Sequence, residues 1–166
     1  PDAEDAVGEA LGSPSHVKEV RLPWRDGRMA PWLIAGLVGG HAQAIMLGVV
    51  GFLVRDRLGL HDRPWEAVQA SGSVMLIGAM ATLLAQWGLI PMLSLAARSS
   101  VLLGAILALV GTVLTGISQD FYSISTGFAI ASLGFGLFRP GFTAGASLAV
   151  RRYEQGDVAG KIASIN

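Results

Sequence analysis

Four long apolar stretches alternate along the chain with short polar ones, at Ala30–Val54, Trp65–Trp87, Val101–Ile117 and Phe121–Val150. At ~1.5 Å per residue in a helix, these lengths match the roughly 30 Å hydrocarbon core of a bilayer, the third only just. None carries the continuous polar face that a water-facing helix keeps, so a soluble helical bundle is excluded. The intervals are turn-like. Arg55–Pro64 holds Arg55, Asp56, Arg57, Asp62 and Arg63; Leu89–Ser100 has one charge, Arg98; Ser118–Asp120 is a minimal turn. The pattern predicts an all-α, polytopic membrane helix bundle of four transmembrane helices.

The fourth stretch is the one around which the others are expected to arrange themselves. Small residues recur every fourth position along it, as Ser132, Gly136, Pro140 and Ala144, and again as Gly141, Gly145 and Ala149. Inside lipid no hydrophobic force drives helices together, so close backbone approach through small residues is the usual route to packing. The first span has such a row in Gly36, Gly40, Ala44 and Gly48, and the third in Gly104, Ala108, Thr112 and Gly116. Gly36, Gly40, Gly48, Gly136, Gly141 and Gly145 are therefore the expected packing positions. Pro140 removes a backbone donor and should kink its helix.

Composition sharpens the class. The 166 residues are 52% apolar and 14% charged, against about 25% charged in a soluble domain. A formal net charge of zero gives no footing for nucleic acid. The absence of cysteine excludes disulfides and thiol chemistry. Residues 1–29 read as an acidic, then basic, cytoplasmic linker, with Pro1–Gly12 mobile. Residues 30–150 are the four-span segment, and 151–166 a cytoplasmic loop leading to a helix that is missing. Four spans put both flanks on one side, where Lys18, Arg21, Arg25, Arg28, Arg98, Arg151, Arg152 and Lys161 stand against Arg55, Arg57 and Arg63 on the other. That asymmetry places both flanks in the cytoplasm.

Candidate chemistry is sparse. No nucleophile–base pair or cofactor loop is present, and His16, His41 and His61 are too scattered for a metal site, so neither an enzyme nor a cofactor is expected. Arg139 is the best single candidate: a charge inside an apolar span costs at least about 2.5–3.5 kcal/mol and belongs in a protein-lined or watered cavity. The plainer reading is an arginine that snorkels to the interface. His41 is either a proton-responsive group or a neutral hydrogen-bond partner. Gln43, about 200° around the helix from His41, either meets a substrate or bonds a neighbouring helix. Gln86 reads as structural. Phe135, Phe138 and Phe142 form either a pocket wall or a lipid-facing stripe, the latter favoured. Trp24, Trp32, Trp65 and Trp87 read as interface anchors.

Three places resemble the C-terminal half of a major facilitator superfamily transporter, of the drug–proton antiporter and tetracycline-efflux-like branch. They are the basic linker leading into Gly36–Val54, the run Gln86-Trp87-Gly88-Leu89-Ile90-Pro91 through Arg98 and Leu103-Gly104, and Ser132–Gly141 with Arg151-Arg152 and Gly156–Gly160. The resemblance covers the chain from about Ala30 onward and makes the four spans similar to helices 7–10 of that architecture. It implies alternating access, proton-coupled export of a small amphipathic molecule, a bacterial inner membrane, and the remaining transporter helices as partners. Under it Arg139, His41 and Gln43 are pathway residues. The loop between the second and third spans lacks the family's aspartate, which puts its gating role in doubt. With helices 1–6 and 11–12 lacking, four helices cannot by themselves form a two-half cavity. A scaffold that binds partner helices through the same small-residue faces is the rival expectation.

Overall fold

The computed structural model describes residues 21–165; the expectations for Pro1–Gly12, His16 and Lys18 lie outside them. The only regular secondary structure in the described chain is helical: α1 (Ala30–Arg57), α2 (Pro64–Leu83), α3 (Ile90–Leu93), α4 (Ala97–Ile117), α5 (Phe121–Leu148) and α6 (Gln155–Ile165), with no strand among the described residues. Taking α2 and α3 as one run, Pro64–Leu93, four helices are long and apolar enough to cross a membrane. A lipid bilayer is the environment these helices suggest.

Two element boundaries differ from expectation, for local reasons. The second span does not stop near Trp87. Pro91 has no N–H to give to the carbonyl four residues back, and a wide π turn, Leu84–Leu89, precedes it. The Ile90 N–H donates to the Ala85 carbonyl instead, and the helix runs on to Leu93, where Ser94 turns left-handed at φ 45°. The third span starts at Ala97 rather than Val101, which makes it 21 residues and comfortably long enough. Residues 151–165 are not the expected loop either. A 3₁₀ turn, Arg152–Glu154, leads into α6, which packs back on α1 and α5.

The helix α5 is the centre. Its apolar window is 61% buried, against 17% for α1 and 17% for the α2–α3 run, and it packs on α1, α2 and α4. Asp120 starts it as an N-cap, accepting from the amides of Tyr122 and Ser123 at 3.0 Å each. The tightest contact is with α4, and it is backbone against backbone. A Cβ on Gly104 would lie 2.7 Å from the Gly134 carbonyl oxygen, and one on Gly127 2.6 Å from the Thr115 nitrogen. Gly111 meets Ala131, and Gly134 meets Ala108, in the same way. These glycines stand seven residues apart, at 104 and 111 on α4 and 127, 134 and 141 on α5. That is two helical turns, so they share one face. The fourfold rows of the sequence had led elsewhere; of the α4 row, Thr112 and Gly116 lie outside this seam.

The remaining small residues of α5 serve different neighbours. Gly136 faces Ala85 and Thr82 of the α2 run, Gly141 faces Val101 and Ser100 of α4, and Gly145 accommodates the ring of Trp32. Trp32, at the start of the first span, is therefore half-buried, with its ring packed on α5. Gly36 packs as expected, against the ring of Phe142. Gly40 and Gly48 do not pack. Among the described residues a Cβ on Gly40 would meet only the Ile165 oxygen, at 3.9 Å, and one on Gly48 nothing within 4 Å. The reason is rotational. The buried stripe of α1 runs through Leu33, Gly36, Met46, Val50 and Val54; Ala44 and Gly48 lie about 120–160° around from Met46 and Val50, whereas Gly40 stays near the Leu33–Gly36 side but borders the opening it lines with Gln43 and Arg139.

Candidate functional site

Arg139 is the only charged residue lying more than two turns from the end of any span in the described chain. It sits on α5 beside Pro140, nine residues short of Leu148, or about 13 Å at helical rise. Its side chain is exposed, and it stands between two openings of the bundle. Toward α1 it lines a cavity of about 200 Å³ with Gly39, Gly40, Gln43 and Phe138. Toward the α2 run it lines a wider one of about 760 Å³ with Gln86, Trp87, Ile90 and Thr143. The α1 side of the first opening is lined by small residues, Gly39, Gly40 and Ala44, which leave its volume unfilled, and the second opening is bordered by the π turn through Gln86 and Trp87. Arg139 is the sole charge in either lining.

The polar groups around it are uncommitted. The side chains of Arg139, Gln43 and Gln86 make no hydrogen bond or ion pair with the described residues; the contact near Arg139 is to its backbone carbonyl, from the Thr143 hydroxyl at 2.9 Å. Three donor-bearing side chains therefore line the two openings that meet at Arg139, Gln43 in one and Gln86 in the other, with no carboxylate in either lining. In lipid such groups are costly unless something satisfies them.

Of the sequence candidates, Gln43 thus shares a cavity with Arg139, and His41 does not. His41 faces outward, its Nδ1 2.8 Å from the Leu37 carbonyl oxygen. Gln86, read as structural, joins the site instead; its signal was the neighbouring Pro91, because proline within a helical run displaces the turn before it. The phenylalanines correct the favoured reading: Phe135 is 6% and Phe142 1% exposed, so both are core rather than a lipid-facing stripe. Phe142 fits because Gly36 leaves room for its ring, as Gly39 does for Phe138, and the Phe138 and Phe142 ring centroids lie 5.8 Å apart.

A second polar cluster stands at the end of the bundle where residues 21–29 meet α6. The Glu154 carboxylate, 7% exposed, takes Arg28 Nη1 at 3.1 Å and Nη2 at 3.3 Å, and also accepts from the Arg151 amide at 2.8 Å. The Arg28 guanidinium is shared with Asp26, at 2.9 Å. Asp157 accepts from the Leu22 amide at 2.9 Å and pairs with Lys161, whose ammonium lies 5.5 Å from the Trp24 ring centroid. The Arg151 amide and the Arg28 guanidinium hold the Glu154 carboxyl below its ordinary range, and Lys161 and the Leu22 amide do the same for Asp157. Asp26 and then Glu154 push Arg28 upward. Beneath this cluster Leu22, Met29, Leu33, Phe142, Val158 and Ile162 are buried together. The Asp157–Lys161 pair was visible as an i, i+4 spacing; the Arg28–Glu154 pair, 126 positions apart, had no local signal.

Comparison with family models, with curated proteins and with solved structures gives no match. The reading of the site therefore stands on its own geometry.

Proposed function

We propose that the chain is part of a secondary active transporter of the major facilitator type, working by alternating access. In this reading it exports a small molecule coupled to protons across a bacterial inner membrane, with both flanks cytoplasmic. Arg139 is the charge of the transport pathway, Gln43 lines the same passage, and His41, outside both cavities, is the proton-responsive candidate. The remaining transporter helices would close the cavities that flank Arg139. One observation carries the reading: an unpaired guanidinium, flanked by amide side chains, opens onto two cavities inside an apolar bundle. A lipid-facing helix has no use for that arrangement.

The test is proton flux in vesicles reconstituted with the full-length protein. Addition of a transported compound should move protons, and Arg139→Ala should abolish that movement while leaving the protein in the membrane. Flux that survives the substitution removes Arg139 from the pathway.

A second reading has its own support. The uncovered Gly40 and Gly48 face of α1 suits a scaffold that binds partner helices. Under it, Gly40→Leu with Gly48→Leu dissociates the assembly, and no compound drives proton movement.

A further inference from the structure

We infer that the Arg139 region binds the head of a small amphipathic organic anion — a carboxylate, sulfonate or phosphate monoester — with its apolar body laid along Trp87 and Ile90. The inference rests on the transporter reading and names its substrate class. Three observations carry it. Besides Arg139, the polar side chains in the two linings are all neutral and include uncommitted donors: Gln43 on one flank, Gln86 and Ser147 on the other, with the Thr143 hydroxyl already given to the Arg139 carbonyl. Neither lining contains Asp or Glu, so nothing there compensates a cation. The side chain next to Gln86 is Trp87, 81% exposed, which offers an apolar surface within the same opening.

A guanidinium with flanking amides matches an oxyanion, since charge-assisted N–H···O bonds are the strong ones and the arginine fork takes two oxygens together. The position of Gln86 depends on the π turn, and such turns recur at functional sites in helices. Depth separates a free anion from a lipid headgroup. A 28-residue helix is about 42 Å long, so centred on a core of about 30 Å it overhangs by about 6 Å at each end. Arg139, about 13 Å from the end of α5, then lies roughly 7 Å below the headgroup level. A guanidinium held between these openings meets a mobile small anion, whereas a lipid phosphate meets it only if the side chain snorkels outward.

The experiment uses the full-length protein in vesicles of zwitterionic phosphatidylcholine, without any ion gradient. 11-Bromoundecanoate is titrated at neutral pH against tryptophan fluorescence, with its methyl ester and a bromoundecyl-trimethylammonium salt alongside. The carboxylate should quench saturably, and Trp87→Phe should remove that quenching. Arg139→Gln should weaken binding about ten- to a hundredfold, Arg139→Lys less, and Gln86→Ala by a smaller step. If Arg139→Gln does not fold, Arg139→Lys and Gln86→Ala carry the comparison. Equal quenching by carboxylate, ester and ammonium overturns the inference, as does binding indifferent to all three substitutions. Brominated phosphatidylglycerol competing at the same affinity overturns it in favour of a headgroup site. Because binding is read without flux, saturable anion binding with no proton movement leaves this inference standing and removes the transporter reading. Proton flux driven by the cation alone does the reverse.

Discussion

The guanidinium of Arg28 grips the carboxylate of Glu154 with two nitrogens, at 3.1 and 3.3 Å, and so ties the segment before the first span to the turn after the fourth. Glu154 is nearly buried, and a buried carboxylate that loses its cation is left uncompensated. Glu154→Gln keeps the shape and one acceptor but removes the charge. Hydrogen exchange should then speed up in residues 21–29 and in α6 while the centre of α5 stays protected. Arg28→Glu should loosen the same segments more, by setting two carboxylates together. The double exchange Arg28→Glu with Glu154→Arg should recover part of the protection. No change in residues 21–29 on Glu154→Gln would mean that the apolar contacts of Leu22 and Met29 hold the segment alone.

Acid should release the same end of the bundle. Glu154 and Asp157 have carboxyls held below their ordinary values in the fold. A group with a depressed folded pKa contributes stability that is fully present above its unfolded value, about 4 for these residues, and is lost as pH falls through the folded value. Thermal unfolding in detergent should therefore be flat from neutral pH down to about 5 and weaken below about 4. In Glu154→Gln the acid-side loss should be smaller. A transition centred near pH 6 would assign the sensitivity to other groups.

The seam between α4 and α5 makes a sharper demand. At Gly111 and Gly134 an added Cβ would strike the backbone of the facing helix, which cannot rotate out of the way as a side chain can. Overpacking a core costs about 1–3 kcal/mol even where side chains adjust. Gly111→Leu or Gly134→Leu should cost at least that much, or abolish folding. Gly48→Leu and Gly116→Leu, where nothing lies within 4 Å, should be nearly neutral for the four-helix fold. Equal losses at all four positions would indicate that helix flexibility, not helix contact, sets the cost.

Much of this architecture was legible because its causes are local. Length and unbroken apolarity marked four spans, and small residues marked α5 as the helix others approach. What escaped notice depended on partners. Phe135 and Phe142 have the same spacing whether they face lipid or core; the space for Phe142 is supplied by Gly36, about a hundred positions earlier. Ser99 and Ser100 resembled loop residues, yet Ser100 is buried in α4 and its hydroxyl donates to the Leu137 carbonyl at 2.9 Å. At the candidate site, Arg139 and Gln43 could be picked out because polar groups are conspicuous in an apolar run. Gln86 was just as conspicuous but read as structural, since its place in the opening beside Arg139 goes with the π turn before Pro91.

The orientation of the bundle can be decided with the protein's own composition, which includes no cysteine. Consecutive spans set the 58–63 turn at one end and the turn before α4, with α6, at the other. Among the described residues seven Lys and Arg flank the latter end and three the former, so the latter is expected in the cytoplasm. Single cysteines at Asp62, Ser99 and Gly160 occupy exposed positions, and at Gly160 a Cβ meets nothing within 4 Å. In intact cells an impermeant maleimide should label Asp62→Cys at once, and the other two only after the membrane is opened. The inverse pattern would keep the four spans and reverse their direction, which would leave the charge asymmetry without effect. Labelling of Ser99→Cys and Gly160→Cys from opposite sides would mean that α4 and α5 do not both cross, and would remove the bilayer depth on which the environment of Arg139 depends.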